Sequence, residues 1–385
     1  MRIGRTGDGV SDVIVIGGGI VGASAAYHLA RVGASVTLVD REDQRQATAA
    51  GAGICSPSNV LDAPAAYYPL AVRSGKYYDE LLAHLAEDGE RATGYDVTGM
   101  LRIARSAEDA VQLPDVMRAL RDARAQGASH IGDTALLDPS AVAALFPPLG
   151  PVHGAVYSSG GARVDGRLLR DALRRAAARH GARLMHASAA LDVRGRRVHG
   201  VVVDGENLSA DGVLIAGGAW SAGLTEILGI VLPVSPLRGQ IAHLSLPGTD
   251  TSGWPVVTGF HAHYLLGFPH GRVVAGATRE DAGFDYQTTA AGVHEVLGEA
   301  LRIAPGLATA TLAEIRIGMR PATPDNLPVL GALPGLSNAY IAAGHGAYGL
   351  QLGPYSAALV ADQMRGIAPP LDVTPYAPER YSAVG

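Results

Sequence analysis

A chain of 385 residues with 48% apolar and only 17% charged residues can build a large buried core, which excludes a disordered or fibrous protein despite 50 glycines. The 31 basic and 36 acidic side chains leave a net charge of −5, and no Lys/Arg run exceeds two residues, so no basic field for nucleic acid or anionic lipid exists. With Cys55 as the one cysteine, an intrachain disulfide and a thiolate-based metal site are excluded too.

In chain order, the first ten residues lack the long apolar stretch of a secretory leader. Nowhere do about 18 apolar residues run unbroken, so no membrane span is expected and the reading is cytoplasmic. Residues 12–16 (DVIVI) form a β-branched run that predicts a strand; Gly17, Gly18, Gly19, Ile20, Val21 and Gly22 follow, then the helical pattern ASAAYHLARVG. A second apolar run, SVTLVD, ends at Asp40, which completes a βαβ unit with parallel strands. In such a unit the first glycine permits the tight turn, the second lets the backbone approach a pyrophosphate, and the third lets helix and strand pack closely. The phosphates would sit on the helix N-terminus, where free amides and the helix dipole favour anions. Asp40 is placed to accept the ribose hydroxyls of an adenosine. This unit alone does not separate FAD from NAD.

Further along, Lys76, the only lysine, falls in a predicted surface helix. Residues 167–193 read as a helix stopped at Gly181 and then a strand, and 201–218 as a hairpin feeding another strand of the same sheet. Alternating patterns such as HYLLGFPHGRVVAGAT, joined by proline and glycine, predict antiparallel hairpins in the intervening segments. The stretch 305–335 is dense in proline and glycine and reads as an ordered loop carrying function. AYIAAG at 339–344 gives the last strand, Gly349 through Met364 the last helix, and the final fifteen residues a loose tail. The expected fold is therefore α/β. Segments 11–90, 151–227 and 316–370 form a discontinuous Rossmann-like nucleotide domain, and 91–150 and 228–315 form an inserted, mainly antiparallel substrate domain.

Several later segments carry a resemblance. After Asp40 and Arg41 comes ATAAGAGI at 47–54; LIAGGAWS stands at 214–221; GMRPATPDNLPVLG at 318–331 and AGHGAYGLQLGP at 343–354 close the series. Together they resemble the D-amino-acid oxidase-like family of FAD enzymes over nearly the whole chain, with the glutathione reductase-like fold of that family. The resemblance implies FAD contacts at Gly17, Gly19, Ile20, Val21, Gly22, Asp40 and Arg41, then at Thr48, Ala52, Gly53 and Ile54. It further implies contacts at Ala190, Ala216, Gly217 and Trp220, and at Gly344, Gly346, Gly349, Leu350 and Gln351. Arg320 matches the position that grips a substrate carboxylate, which suits its planar, bidentate fork, and Tyr264 matches a tyrosine that helps it. His345 and Tyr348 are expected in the catalytic pocket; His261 and His263 are possible neighbours with no spacing that makes a metal site.

The departures from the family are informative. Where sarcosine oxidase has the cysteine that binds flavin covalently, this chain has Gly318, which implies dissociable FAD. Ala347 stands where glycine oxidase has a further arginine, and Lys76 lies far from every matching motif, so fast oxygen use is not implied. The expected activity is oxidation of a small amino acid, a D-amino acid or a glycine-like amine, by hydride transfer to flavin N5, with oxygen or another electron acceptor downstream. Oxidation of a secondary amine (sarcosine- or proline-like) or of a hydroxy acid stays open, as do an NAD-dependent dehydrogenase, a non-catalytic FAD-binding protein and assembly into a homo-oligomer.

Overall fold

The computed structural model describes residues 11–56 and 63–381, so the leader reading of the first ten residues lies outside the described part. Strand β1 (Asp12–Ile16), helix α1 (Ile20–Arg31) and strand β2 (Ser35–Asp40) form the βαβ unit with parallel pairing in register from Asp12↔Ser35 to Ile16↔Val39. β1 lies in the middle of a six-stranded sheet ordered Val329–Ala332, Ala339–Ala343, Gly212–Ile215, β1, β2, Arg183–His186. All neighbours are parallel except the first pair. Both faces are covered, as a parallel sheet requires. Val13 and Val15 join the core that packs α1, helix Gly166–Arg179 and helix Gly349–Met364, while Ile14 and Ile16 join the opposite core with Val213, Ile215 and Ile341.

A second, eight-stranded sheet runs in the order Thr311–Ala322, Ser235–Ser245, Arg272–Gly276, Tyr264–Phe268, Val256–Thr258, Met100–Ala104, Gly154–Ser158, Thr134–Leu137. It is antiparallel except where Val256–Thr258 meets Met100–Ala104. Helix Ala290–Ile303, capped by the Thr289 hydroxyl that accepts from the Gly292 amide at 3.1 Å, covers one face through Val296 and Ala300.

Several expectations need correction. The stretch expected as a loop at 305–335 contains the twelve-residue strand Thr311–Ala322; it tolerates Pro321 because it is the sheet edge, where an N–H is not demanded on both sides. The hairpin 201–218 does not join the parallel sheet. Its strand Arg197–Val203 pairs with Ala189–Arg194 on one side and Glu206–Ser209 on the other in a sheet of their own, and only Gly212–Ile215 enters the parallel one. Strand Gly154–Ser158 and residues 316–322 lie in the eight-stranded sheet, although boundaries at 151 and 316 would put them with the nucleotide unit. The tail is packed through Tyr381: the buried Tyr376 hydroxyl donates to Ala66 O at 2.5 Å, and Arg380 Nε donates to Asp325 at 2.8 Å. Among the described residues no helix is long and apolar enough to cross a membrane.

Candidate active site

The glycine turn after β1 is built by steric necessity. Gly17 has φ +102, and a Cβ there would sit 2.4 Å from Ala216 O; a Cβ on Gly22 would sit 1.8 Å from Gly17 O. A Cβ on Gly18 would strike Asp40 Oδ2 at 2.6 Å, so the bare backbone lets the buried Asp40 carboxylate lie against the turn. The first amide of α1, at Ile20, donates to Thr48 Oγ1 at 2.9 Å, which ties the short helix Ala47–Ala50 to the helix start. The chain then passes Gly53, at φ +96, whose O accepts from the Val164 amide at 2.8 Å.

From this turn a cavity of about 1300 Å3 runs to the inner face of the eight-stranded sheet. That exceeds the roughly 300–1,000 Å3 of a pocket for one small molecule, and suits an extended cofactor with a substrate beyond it. Gly17, Gly19, Ile20, Val21, Asp40 and Arg41 border its first part, with Thr48, Ala52, Gly53, Ile54, Ala216, Gly217 and Trp220 further in. Gly346, Gly349, Leu350 and Gln351 border it from the start of helix Gly349–Met364. Three expected contacts do not. Gly22 faces Gly17, Gly344 is consumed by a turn at φ +74 with Thr323 2.7 Å from its missing Cβ, and exposed Ala190 points elsewhere while Ala187, Ser188 and Ala189 take its place. Two buried polar atoms in the cavity wall, His345 Nε2 and Gln351 Nε2, have no hydrogen-bond partner among the described residues, although Gln351 Oε1 accepts from the Tyr67 hydroxyl at 2.9 Å. Burial alone pushes the His345 pKa down to about 4, so its ring is neutral at ordinary pH.

Arg320, Tyr264, His345 and Tyr348 all reach this cavity. Arg320 stands on the edge strand opposite Leu237, and Nη1 donates to Thr278 O at 3.0 Å. Its guanidinium lies over Gly239: a Cβ there would be 2.2 Å from Nη1. Likewise a Cβ on Gly276 would be 2.6 Å from the Tyr264 hydroxyl, so two glycines on neighbouring strands carve the space for both side chains. Neither glycine was singled out in the sequence. Their only signal is position, opposite Gly318 for Gly239 and opposite Tyr264 for Gly276, and that becomes readable once the strand registers are known. Burial lowers the Arg320 pKa and raises that of Tyr264, while each side chain favours the charged form of the other. Among the described residues Arg320 forms no salt bridge; the nearby acids Glu280 and Asp285 are held by Arg238 at 2.6 Å each. Tyr348 packs its ring against Tyr67 at 4.6 Å, and Trp220 stacks on Phe284 at 5.3 Å. His261 and His263 border the cavity, the latter 3.3 Å from Glu295, and no group of three His, Cys, Asp or Glu among the described residues converges as a metal site. Lys76 is not a cavity residue.

A glycine turn at a helix start, a buried acid closing the second strand, and a cavity that continues onto an antiparallel sheet define a nucleotide-cofactor oxidoreductase. The comparisons give the class its name: a family described as FAD dependent oxidoreductase matches residues 12–363, and the chain belongs to it. It is 43% identical to the uncharacterised oxidoreductase YurR of Bacillus subtilis over 95% of this chain and 98% of that protein. It is 31% identical to glycine oxidase of Pseudomonas putida, with 95% and 98% covered. Among solved structures, iminodiacetate oxidase from Chelativorans sp. BNC1 superposes with a TM-score of 0.91 at 40% identity, covering 95% of this chain and 98% of that one. The chain is thus an FAD-dependent oxidoreductase, and its residues fit FAD: a cradle without room for Cβ atoms, a buried carboxylate beside it, and two unpartnered polar atoms further along the wall.

Proposed function

We propose that the protein oxidises a small amino acid or amine that carries a carboxylate next to the carbon bearing nitrogen. One observation carries this reading: Arg320 projects into the FAD cavity with no acidic partner among the described residues, over a glycine that leaves it room and beside the Tyr264 phenol. A half-buried guanidinium without a counterion is matched by a ligand carboxylate through two charge-assisted hydrogen bonds. The relatives named for a substrate, glycine oxidase and iminodiacetate oxidase, both bear names of compounds with an amine nitrogen one carbon from a carboxylate.

The amides of Gly18, Gly19 and Val21 at the N-terminus of α1 would hold the pyrophosphate, since those of Gly17 and Ile20 already donate to Val39 O and Thr48 Oγ1; Asp40 would hold the ribose, and the segments 51–54 and 346–351 the ring. When bound, FAD supplies acceptance of a hydride at flavin N5, with oxygen or another acceptor as the final sink. Arg320 and Tyr264 fix the carboxylate and thereby aim the neighbouring C–H, and holding a reactant in this way removes much of the barrier. Neutral His345 adds a hydrogen-bonding group without a positive charge. Loss of hydride from the substrate leaves an imine, which water converts to an oxo acid and ammonia or an amine. Attachment of FAD is non-covalent in this reading, since Gly318 offers no nucleophile. Cys55 is buried away from the cavity, donates to the Tyr78 hydroxyl at 3.8 Å, and has its pKa pushed up to about 12 by burial.

The test is substitution of the anchor. Arg320→Met is expected to raise KM by about a hundredfold, the order expected when one partner of a hydrogen-bonded charge pair is truncated, with FAD content unchanged; Tyr264→Phe is expected to raise it about tenfold. An unchanged KM in Arg320→Met removes the carboxylate role.

A further inference from the structure

We propose that Arg279 forms a second carboxylate subsite, so that the preferred substrate is a dicarboxylic amine with an acid group on each side of the nitrogen. This rests on the reading that Arg320 takes the first carboxylate. Arg279 immediately follows Thr278, the residue whose carbonyl accepts from Arg320 Nη1 at 3.0 Å, and both arginines open into the same cavity. Arg279 is exposed there and presses electrostatically on both Arg320 and Tyr264. Two cations side by side repel unless anions separate them.

The described residues do not supply those anions. Glu280 Oε2 accepts from Arg238 Nη2 at 2.6 Å, and its Oε1 accepts from Gln240 Nε2 at 2.9 Å and Thr278 Oγ1 at 2.5 Å. Asp285 Oδ2 accepts from Arg238 Nη1 at 2.6 Å. The buried Arg238 therefore holds both local acids, while the guanidinium of Arg279 has neither a hydrogen bond nor an ion pair among the described residues. A ligand with one carboxylate satisfies one arginine. A ligand with two, separated by a short amine bridge, satisfies both and cancels their repulsion.

The probes are oxydiacetate, which has two carboxylates and no oxidisable amine, and methoxyacetate, which has one. Binding to the FAD-loaded protein is read from the perturbed flavin spectrum and from the thermal melt. The wild type is expected to bind oxydiacetate about tenfold or more tighter than methoxyacetate. Arg279→Met should erase that difference while leaving methoxyacetate within about twofold, and Arg279→Lys should restore part of it, since a cation without the fork remains. In turnover, Arg279→Met should raise KM for iminodiacetate and leave that for N-methylglycine unchanged. If Arg279→Met weakens both anions equally, the two arginines share one carboxylate and the second subsite is overturned; if it weakens neither, Arg279 has no ligand. If neither anion binds the wild type, the Arg320 anchor itself fails, a result distinct from both.

Discussion

A buried histidine gives this protein an expected dependence of stability on pH. His243, 3% exposed on strand Ser235–Ser245, has no partner for either ring nitrogen among the described residues. Burial first, then Arg316, Arg272 and Arg167, push its pKa down to about 4, with Glu314 opposing. In the unfolded chain the same ring titrates near 6.5, so between these values the unfolded state binds more protons. The stability this represents is whole above about pH 6.5 and is lost as pH falls towards 4, with a ceiling of roughly 3 kcal/mol. His243→Leu removes the proton uptake and an unpaired polar ring together. Its Tm is expected to match or exceed the wild type at pH 8 and to fall less between pH 7 and pH 5; an identical fall in both proteins would show that His243 does not carry the effect. Nothing in the sequence marks His243, whose surroundings come from three separate segments. Arg320 was legible because it sits in a motif, whereas Gly239 and Gly276, which give it and Tyr264 their space, became visible only through strand pairing.

At the scale of elements, the glycine turn is legible because its glycines directly follow one strand and open one helix. Gly22 lies in α1 with no room for a methyl group, since Gly17 O would be 1.8 Å away. Gly298, in helix Ala290–Ile303, has nothing within 4 Å of its missing Cβ. Gly22→Ala is expected to cost about 1–3 kcal/mol of stability by overpacking and to lower the flavin-to-protein ratio after purification. Gly298→Ala should instead gain about 0.5–1 kcal/mol by helix propensity; full FAD retention and an unshifted melt in Gly22→Ala would show that the turn tolerates a side chain. β1, β2 and helix Gly349–Met364 were equally legible, each being a continuous apolar or periodic run. Strand Thr311–Ala322 was hidden by Gly318 and Pro321, which read as breakers until its place on the sheet edge is known. The tail was hidden because Tyr376 finds its partner at Ala66, some 300 positions away in sequence.

For the whole molecule, the order of segments conveyed the architecture, a parallel nucleotide sheet joined to an antiparallel one, but not the shape of the space between them. That space depends on where segments from four parts of the chain meet: Arg320, Tyr264, Arg279 and His345 all border it although they lie up to 81 positions apart. Sequence order carries no such distances, which is why Arg320, inside a motif, was legible as a cavity residue and the rest of the wall was not. The most direct check of the central claim is anaerobic titration of the FAD-loaded protein with glycine, N-methylglycine, D- and L-alanine and iminodiacetate, following flavin absorbance and the oxo acid formed. The expected result is bleaching by at least one of these amines with an equivalent amount of oxo acid. A flavin that stays oxidised with every amine yet bleaches with a hydroxy acid or a nicotinamide cofactor would contradict the account.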